Sequence, residues 1–303
     1  MARSPLLTLR SRRPRGSRPA ARGAVASLVC LLFAAPAASL DMMVGDVAVE
    51  NLGSYGFLSN GSVLSIDGGA TDQLYQMFGY LGTTSGVVRV DGSSFSELAA
   101  ISQSGNQASS TLELGAGAGA LGLSAGDLRI DYTFTLIDDA GPADADQFLW
   151  DVLIENASGG LLDLVFYSYL DLDIDGAGDF GDDVVDASLT RMLISDSTPS
   201  STSEFRWLAS SGGSADHFQV GRYPSVRDTL DGMASAQDLD DSQASFGPGD
   251  FTGAFQYTLS LAPGEIFSVG MGGLTAVPEP GAAVLTWLGL VGIAGMRRER
   301  RLA

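Results

Sequence analysis

Apolar and polar residues alternate with a period of two along much of the chain between residues 40 and 276. The clearest run is Leu128–Ile137 (LRIDYTFTLI), and two further runs, Gln147–Asn156 and Leu161–Ile174, follow it after short polar turns. Successive side chains of a β-strand point to opposite faces, so this period indicates strands with one buried face. The sequence therefore predicts an all-β domain, and the spacing of the turns favours one antiparallel β-sandwich.

Three shorter stretches carry more local predictions. Gly115–Gly122 (GAGAGALG) has the composition of a flexible connection, and Ser225–Met233 has the pattern of a short helix. Gly253–Leu261 and Glu265–Gly270 flank Ala262-Pro263-Gly264. Two strand-like runs joined by a short Pro-Gly turn predict a β-hairpin.

The charge of this central part is strongly negative. Residues 41–277 contain six arginines, 34 acidic residues and no lysine, which gives a net charge of −28. Such a surface repels nucleic acid and anionic lipid and attracts cations. The single cysteine, Cys30, lies outside this part, so no disulfide can stabilise it.

Both ends of the chain have the composition of targeting segments. Met1–Arg22 contains seven arginines and no acid, and the apolar Gly23–Ala35 is followed by small residues. This predicts a secretory signal peptide over residues 1–39, exported by the Sec machinery. At the other end, the uncharged Gly281–Met296 would form a helix about 24 Å long. Because flanking arginines can reach the head groups, we expect one short transmembrane helix over residues 281–296 with a cytoplasmic basic tail, 297–301.

The C-terminal segment, residues 277–303, has three parts in a fixed order. It begins with Val277, Pro278, Glu279 and Pro280, continues with the apolar run, and ends with Arg297, Arg298, Arg300 and Arg301. This order resembles the PEP-CTERM sorting signal of Gram-negative bacterial surface proteins. The resemblance implies recognition by an exosortase-type processing enzyme at the inner membrane. It also implies a final location at the cell surface or in an extracellular, exopolysaccharide-containing matrix, with residues 40–276 as the exported domain.

One acidic stretch in the exported domain has the spacing of a calcium loop. Asp171–Asp182 fits the pattern D-x-D-x-D-G-x5-acid, in which alternate side chains supply oxygens and a glycine allows the tight turn. The predicted Ca²⁺ ligands are Asp171, Asp173, Asp175, the Ala177 carbonyl, Asp179 and Asp182. The preceding run predicts a strand, which argues against a helix–loop–helix site. The alternative is a strand whose Leu172 and Ile174 face the core while its aspartates face water.

The residues give no positive indication of catalysis. The only histidine, His217, has no accompanying nucleophile motif, and no metalloprotease or phosphate-loop pattern occurs. We therefore expect a non-catalytic surface or matrix protein with no catalytic residues, possessing at most a structural Ca²⁺. The alternative is a secreted carbohydrate-binding or carbohydrate-active module. Exposed aromatic residues beside paired carboxylates would favour that alternative; Trp150 is expected in the core, and Trp207 is open.

Overall fold

Alternating side chains produce strands through most of the chain. The computed structural model describes residues 39–45, 47–56, 62–65, 72–138, 145–174, 180–196, 204–209 and 214–276. The strands are β1 (Ser39–Val44), β2 (Val47–Gly53), β3 (Val63–Ser65), β4 (Leu74–Thr83), β5 (Gly86–Arg89), β6 (Phe95–Ser104), β7 (Gln107–Leu114), β8 (Leu128–Ile137), β9 (Ala145–Asn156), β10 (Leu162–Leu172), β11 (Asp183–Ala187), β12 (Arg191–Asp196), β13 (Glu204–Leu208), β14 (His217–Arg222), β15 (Ser245–Phe246), β16 (Phe251–Leu261) and β17 (Ile266–Ala276). Two helices are described, α1 (Ala118–Leu121) and α2 (Ser225–Gly232).

The strands form three antiparallel sheets. The first has the order β1-β2-β3, the second β14-β16-β10-β4-β5, and the third β15-β11-β12-β13-β17-β9-β8-β7-β6. The five-stranded and nine-stranded sheets share one buried cluster, in which Trp150 of β9 meets Phe166 of β10 with ring centroids 6.4 Å apart. The main core therefore lies between these two sheets.

The predicted all-β class is confirmed, but the prediction of a simple two-sheet sandwich is wrong. The described residues form three sheets, and the outer face of the five-stranded sheet is also buried. Val226 and Leu230 of α2, with Leu239, cover Tyr167 and Tyr169 on that face. A sandwich needs apolar side chains on only one face of each sheet, whereas β10 is buried on both faces from Phe166 onward.

In β8 and β9, buried and exposed side chains alternate as the sequence predicts. In β8 Ile130 and Tyr132 are buried while Arg129 and Asp131 are exposed, and Trp150 of β9 is fully buried. The helix expected at Ser225–Met233 is confirmed as α2. The stretch expected to be a flexible connection instead contains α1, which Gly122 ends in a left-handed conformation with φ of 69°.

The predicted hairpin around Ala262-Pro263-Gly264 is wrong. β16 pairs with β10 and β14 in the five-stranded sheet, whereas β17 pairs with β9 and β13 in the nine-stranded sheet. The chain therefore crosses from one sheet to the other at this turn. A second crossing joins β9 to β10.

Several predicted segments lie outside the described residues. They are residues 1–38 of the signal peptide, the sorting motif at 277–280, the predicted helix 281–296, the basic tail 297–301 and the loop residues 175–179. Within the described ranges, no helix is long and apolar enough to cross a membrane.

Candidate functional site

An acidic cavity lies where β10 ends and β16 begins. Asp171 belongs to β10, Asp173 follows it, and Asp250 immediately precedes β16. Because β10 and β16 run antiparallel, with Leu170 opposite Gly253, residues after β10 lie beside residues before β16. Strand pairing therefore brings together aspartates that are more than 75 residues apart in sequence.

The three aspartates form a compact group of oxygens. One carboxylate oxygen from each of Asp171, Asp173 and Asp250 lies within 4.8 Å of the others. Asp171 and Asp173 are 1% and 8% exposed, so the alternative in which these side chains face water is wrong. Side chains from distant parts of the sequence, among them Tyr75 and Tyr223, lie beside them, and the local sequence pattern does not show this.

Aromatic side chains form the rest of the cavity wall. The cavity has a volume of about 280 Å³ and is lined by the three aspartates together with Tyr75, Phe180 and Tyr223. Tyr75 and Tyr223 meet edge to face with ring centroids 5.8 Å apart. Tyr75 is 43% exposed and Phe180 is 46% exposed, so both rings remain accessible at the cavity.

Burial and mutual repulsion disfavour the ionised form of these carboxyl groups. Burial, followed by the charges of Asp173 and Asp250, raises the pKa of Asp171 to about 9. Burial, then the charges of Asp250 and Asp72, raises the pKa of Asp173 to about 6. Burial also raises the pKa of Asp250, against the opposing effect of the Arg222 charge.

A fourth buried carboxyl group lies near this group. Asp183 at the start of β11 is fully buried, and burial followed by the charge of Asp173 raises its pKa to about 8. Amide groups of Ile174 and Phe251 offset part of that shift. The end of β10 therefore carries more buried negative charge than the three cavity aspartates alone.

Some oxygens of this region lack a hydrogen-bond partner within the described residues. Asp171 Oδ1 is buried without one, while its Oδ2 accepts only a long hydrogen bond of 3.5 Å from the Tyr169 hydroxyl. Gln76, the cross-strand neighbour of Asp171 on β4, is 3% exposed, and its Oε1 is likewise unpartnered. Such buried acceptors are costly unless a donor or a cation reaches them.

The structure places the predicted calcium ligands only in part. Asp171 and Asp173 are brought together, Asp182 is half-buried and outside the compact group, and Asp175, Ala177 and Asp179 lie outside the described residues. Sequence reasoning missed Asp250. Its only local signal is its position in a Gly-Pro-Gly-Asp turn ahead of a strand-like run.

The other candidate residues have structural roles. Trp150 is buried as expected, and Trp207, with 1% exposure, is buried beside it and cannot serve as a surface platform. His217 faces carboxylates, with Nδ1 2.7 Å from Asp241 Oδ2 and Nε2 3.7 Å from Asp238 Oδ1.

Comparisons with known proteins give a structural similarity but no family. No family model matches the chain, and no curated protein matches it. Among solved structures, the chain is similar to a protein described as a kojibiose phosphorylase from the human microbiome. The TM-score is 0.46 and the identity 8%; the match covers 87% of this chain and 33% of that protein, so the chain spans about a third of its length.

The expectation of a non-catalytic protein is corrected at this point. That expectation depended on the absence of catalytic motifs from the sequence, whereas folding brings Asp171, Asp173 and Asp250 into one aromatic-lined cavity. A likeness of this size assigns no activity to the chain.

Proposed function

We propose that this protein is a carbohydrate-active protein that binds a saccharide in the cavity formed by Asp171, Asp173, Asp250 and their aromatic neighbours. The observation that carries the proposal is the meeting of accessible aromatic rings and carboxyl groups in one concave site. Neither group alone would indicate a sugar.

The aromatic rings supply the apolar half of saccharide recognition. A sugar ring has faces made of C–H groups, and these pack against aromatic faces as other apolar groups do. Tyr75 and Phe180 keep 43% and 46% of their surface exposed, which costs free energy unless a ligand covers them. Because Tyr75 packs edge-on against Tyr223, part of the wall is already held in position.

The carboxylates supply the polar half. A carboxyl group accepts hydrogen bonds, and it also donates one when it is protonated, so the three aspartates suit a ligand that carries many hydroxyl groups, as sugars do. The aspartates also repel phosphates and other anions, in agreement with the net charge of −28 between residues 41 and 277. A neutral saccharide therefore suits this site better than a nucleotide or an acidic polymer.

The cavity volume limits the part of the ligand that is enclosed. About 280 Å³ is near the lower end of small-molecule sites, which start at roughly 300 Å³. We expect one sugar unit to be enclosed, with any further units lying on the surface beside Phe180.

Titration of the purified full chain with a panel of neutral mono- and disaccharides tests the proposal. We expect saturable binding by calorimetry for at least one sugar, and Tyr75→Ala should weaken it about tenfold, the equivalent of about 1.4 kcal/mol. Leu161→Ala, which removes an exposed apolar side chain outside the cavity, is the matched control and should bind normally. Chromatography of the same mixtures, with and without phosphate, reports cleavage.

Failure is recognisable in the same experiment. If the folded wild-type chain binds no sugar of the panel, or if Tyr75→Ala and Leu161→Ala bind equally well, the cavity is not a saccharide site. Binding without any cleavage product would restrict the function to recognition.

We also propose that the protein is exported and sorted at the membrane, since the signal-like leader and the segment 277–301 support that route. Replacing Pro278 and Pro280 by alanine should block exosortase-type processing and leave the chain in the inner membrane. Fractionation of the expressing Gram-negative cells, with mass spectrometry of the C-terminus, measures this. Identical processing of the variant would contradict the sorting proposal.

A further inference from the structure

We propose that Asp171, Asp173 and Asp250 form a binding site for a divalent cation of the Ca²⁺ type in the wall of the cavity. The ligand set differs from the loop that the sequence suggests, because Asp250 comes from the start of β16 and not from residues 171–182. The cation site does not depend on the proposed function; only its contribution to saccharide binding does.

The distances between the carboxylates fit a shared ion. Ca²⁺ binds oxygens at about 2.3–2.6 Å, so two ligands on one ion are at most about 5 Å apart. The three oxygens of this group lie within 4.8 Å of one another. Hard oxygen ligands without histidine or cysteine are the set that Ca²⁺ prefers, and its tolerance of irregular geometry suits ligands from two different strands.

The unpartnered oxygens give an independent indication of a ligand. Asp171 lines the cavity, and its Oδ1 is buried and has no hydrogen-bond partner among the described residues. The amide oxygen of Gln76, also buried and unpartnered, belongs to the strand neighbour of Asp171. Ca²⁺ binds both carboxylate oxygens, such as that of Asp171, and neutral amide oxygens, such as that of Gln76.

Positive side chains do not neutralise the group. Arg227 and Arg222 act on Asp171 and Asp250 respectively through their charges. In the described ranges, however, no ion pair within 4.0 Å joins any of the three aspartates to an arginine. The chain has no lysine to fill that place. Carboxyl groups buried at this separation must either take up protons or meet a counter-charge, and a divalent cation supplies the counter-charge directly.

The position of the cation connects it with the saccharide. Three carboxylates supply three to six oxygens, while Ca²⁺ takes six to eight. The remaining positions face the cavity between Tyr75, Phe180 and Tyr223, where water or adjacent hydroxyls of a sugar can complete them. We therefore expect Ca²⁺ to strengthen saccharide binding.

Calorimetric titration of the full chain with Ca²⁺, after removal of metal with a chelator, tests the cation site. The expected result is one saturable site that Asp250→Asn weakens by at least about tenfold. Asp240→Asn is the matched control because Asp240 is an exposed aspartate outside the cavity, and it should bind Ca²⁺ normally. Asp179→Asn separates this site from the sequence-predicted loop.

The dependence on Asp250 decides the outcome. The inference is overturned if the wild-type chain shows no saturable Ca²⁺ binding. It is also overturned if Asp250→Asn binds Ca²⁺ as the wild type does, even when Asp179→Asn loses the binding. Loss of Ca²⁺ binding in Asp250→Asn supports the site, whatever the result for Asp179→Asn.

A measurement on the unaltered chain covers the case in which Asp250→Asn does not fold. Tb³⁺ bound beside Tyr75 and Tyr223 should show luminescence on excitation of the tyrosines, and excess Ca²⁺ should displace it. Absence of emission that Ca²⁺ displaces contradicts the site.

Sugar titrations with and without Ca²⁺ separate this inference from the proposed function. Saccharide binding that is the same without Ca²⁺ leaves the function standing and removes the proposed role of the cation. Ca²⁺ binding without any saccharide binding leaves the cation site standing and removes the function.

Discussion

The two ends of β10 place buried polar groups in opposite situations. At its beginning lies a crossover corner, which we define as residues 156–160 and 261–265, where the chain twice passes between the five-stranded and nine-stranded sheets. At its other end, roughly 30 Å away along an eleven-residue strand, lies the acidic cavity. Asn156 in the corner is fully buried and Asp171 in the cavity is 1% exposed, so the two sites are equally shielded from water.

The crossover corner satisfies its polar groups from within the chain. Asn156 Nδ2 donates to the carbonyl oxygens of Gly160 at 2.7 Å and Leu261 at 2.8 Å, and its Oδ1 accepts from the Ser158 amide and hydroxyl. Its backbone also bonds across the second crossing, to Glu265 and Gly264. One side chain therefore holds together the two crossings that meet at this corner.

The cavity leaves its polar groups partly unsatisfied. Asp171 Oδ1 and Gln76 Oε1 have no partner among the described residues, and like charges gather around them. A buried polar network that is complete stabilises a fold, whereas one that is incomplete costs free energy. The contrast indicates a structural role for the corner and a ligand-dependent role for the cavity.

The largest expected effect is at the corner. Asn156→Ala should lower the free energy of unfolding by about 3 kcal/mol, because the buried Leu261 carbonyl and the part-buried Gly160 carbonyl lose their donor at once. Urea denaturation measures the loss. Asn106→Ala, which removes a single bond to the Leu136 carbonyl, is the control and should cost about 1 kcal/mol. Equal losses in both variants would show that Asn156 does not hold the crossings together.

The next effect in size is stabilisation by Ca²⁺. With Ca²⁺ at about 100 times its dissociation constant, the free energy of unfolding of the wild-type chain should rise by about 2.7 kcal/mol. It should fall back to the metal-free value when a chelator is added. Thermal or urea unfolding with and without the ion measures it. An equal rise in Asp250→Asn would mean that Ca²⁺ does not stabilise the protein by binding in the acidic cavity.

A smaller and opposite effect is expected for the metal-free protein. Because burial raises the pKa of Asp171, the metal-free protein must bury this group either as a repelling charge or at the cost of taking up a proton. Asp171→Asn avoids both costs, so in the presence of chelator it should raise the free energy of unfolding by about 1 kcal/mol. The variant should also lose the stabilisation by Ca²⁺. Asp240→Asn should change stability by less than about 0.5 kcal/mol. Destabilisation by Asp171→Asn under chelator would mean that this carboxylate is satisfied after all.

The smallest effect concerns a carboxylate whose partners lie within the chain. Burial acts to raise the pKa of Asp91, but hydrogen bonds from Ser93 and Arg89 outweigh it and lower the pKa below 3.8. Asp91 therefore binds its proton less tightly in the folded state, so it stabilises the fold above that pH and the contribution is lost as the pH falls through the folded pKa. At about pH 5 the free energy of unfolding of the wild type should exceed that of Asp91→Asn by less than about 1 kcal/mol. Urea denaturation at about pH 3 should show a smaller difference. If the difference grows on acidification, the hydrogen bonds from Ser93 and Arg89 do not lower the pKa of Asp91.

Local patterns could be predicted from the sequence because they depend on neighbouring residues. The strand Leu128–Ile137 is observed with the predicted bounds, and α2 begins at the predicted Ser225. Asp171 and Asp173 were identified as candidate ligands from their spacing alone. Their burial was not predictable, since their neighbours in the cavity include Tyr75, Tyr223 and Asp250, which lie far away along the chain.

The sequence by itself determined an all-β domain with strongly negative charge, because period two and composition are properties of the chain before it folds. Only the tertiary structure decided that β16 and β17 belong to different sheets, that Asn156 ties two crossings together, and that Asp250 joins Asp171 and Asp173. The physical reason is that strand pairing is non-local. Alternation sets which face of a strand is apolar, but the partner strand and the residues that cover its other face are chosen by the packing of the whole domain.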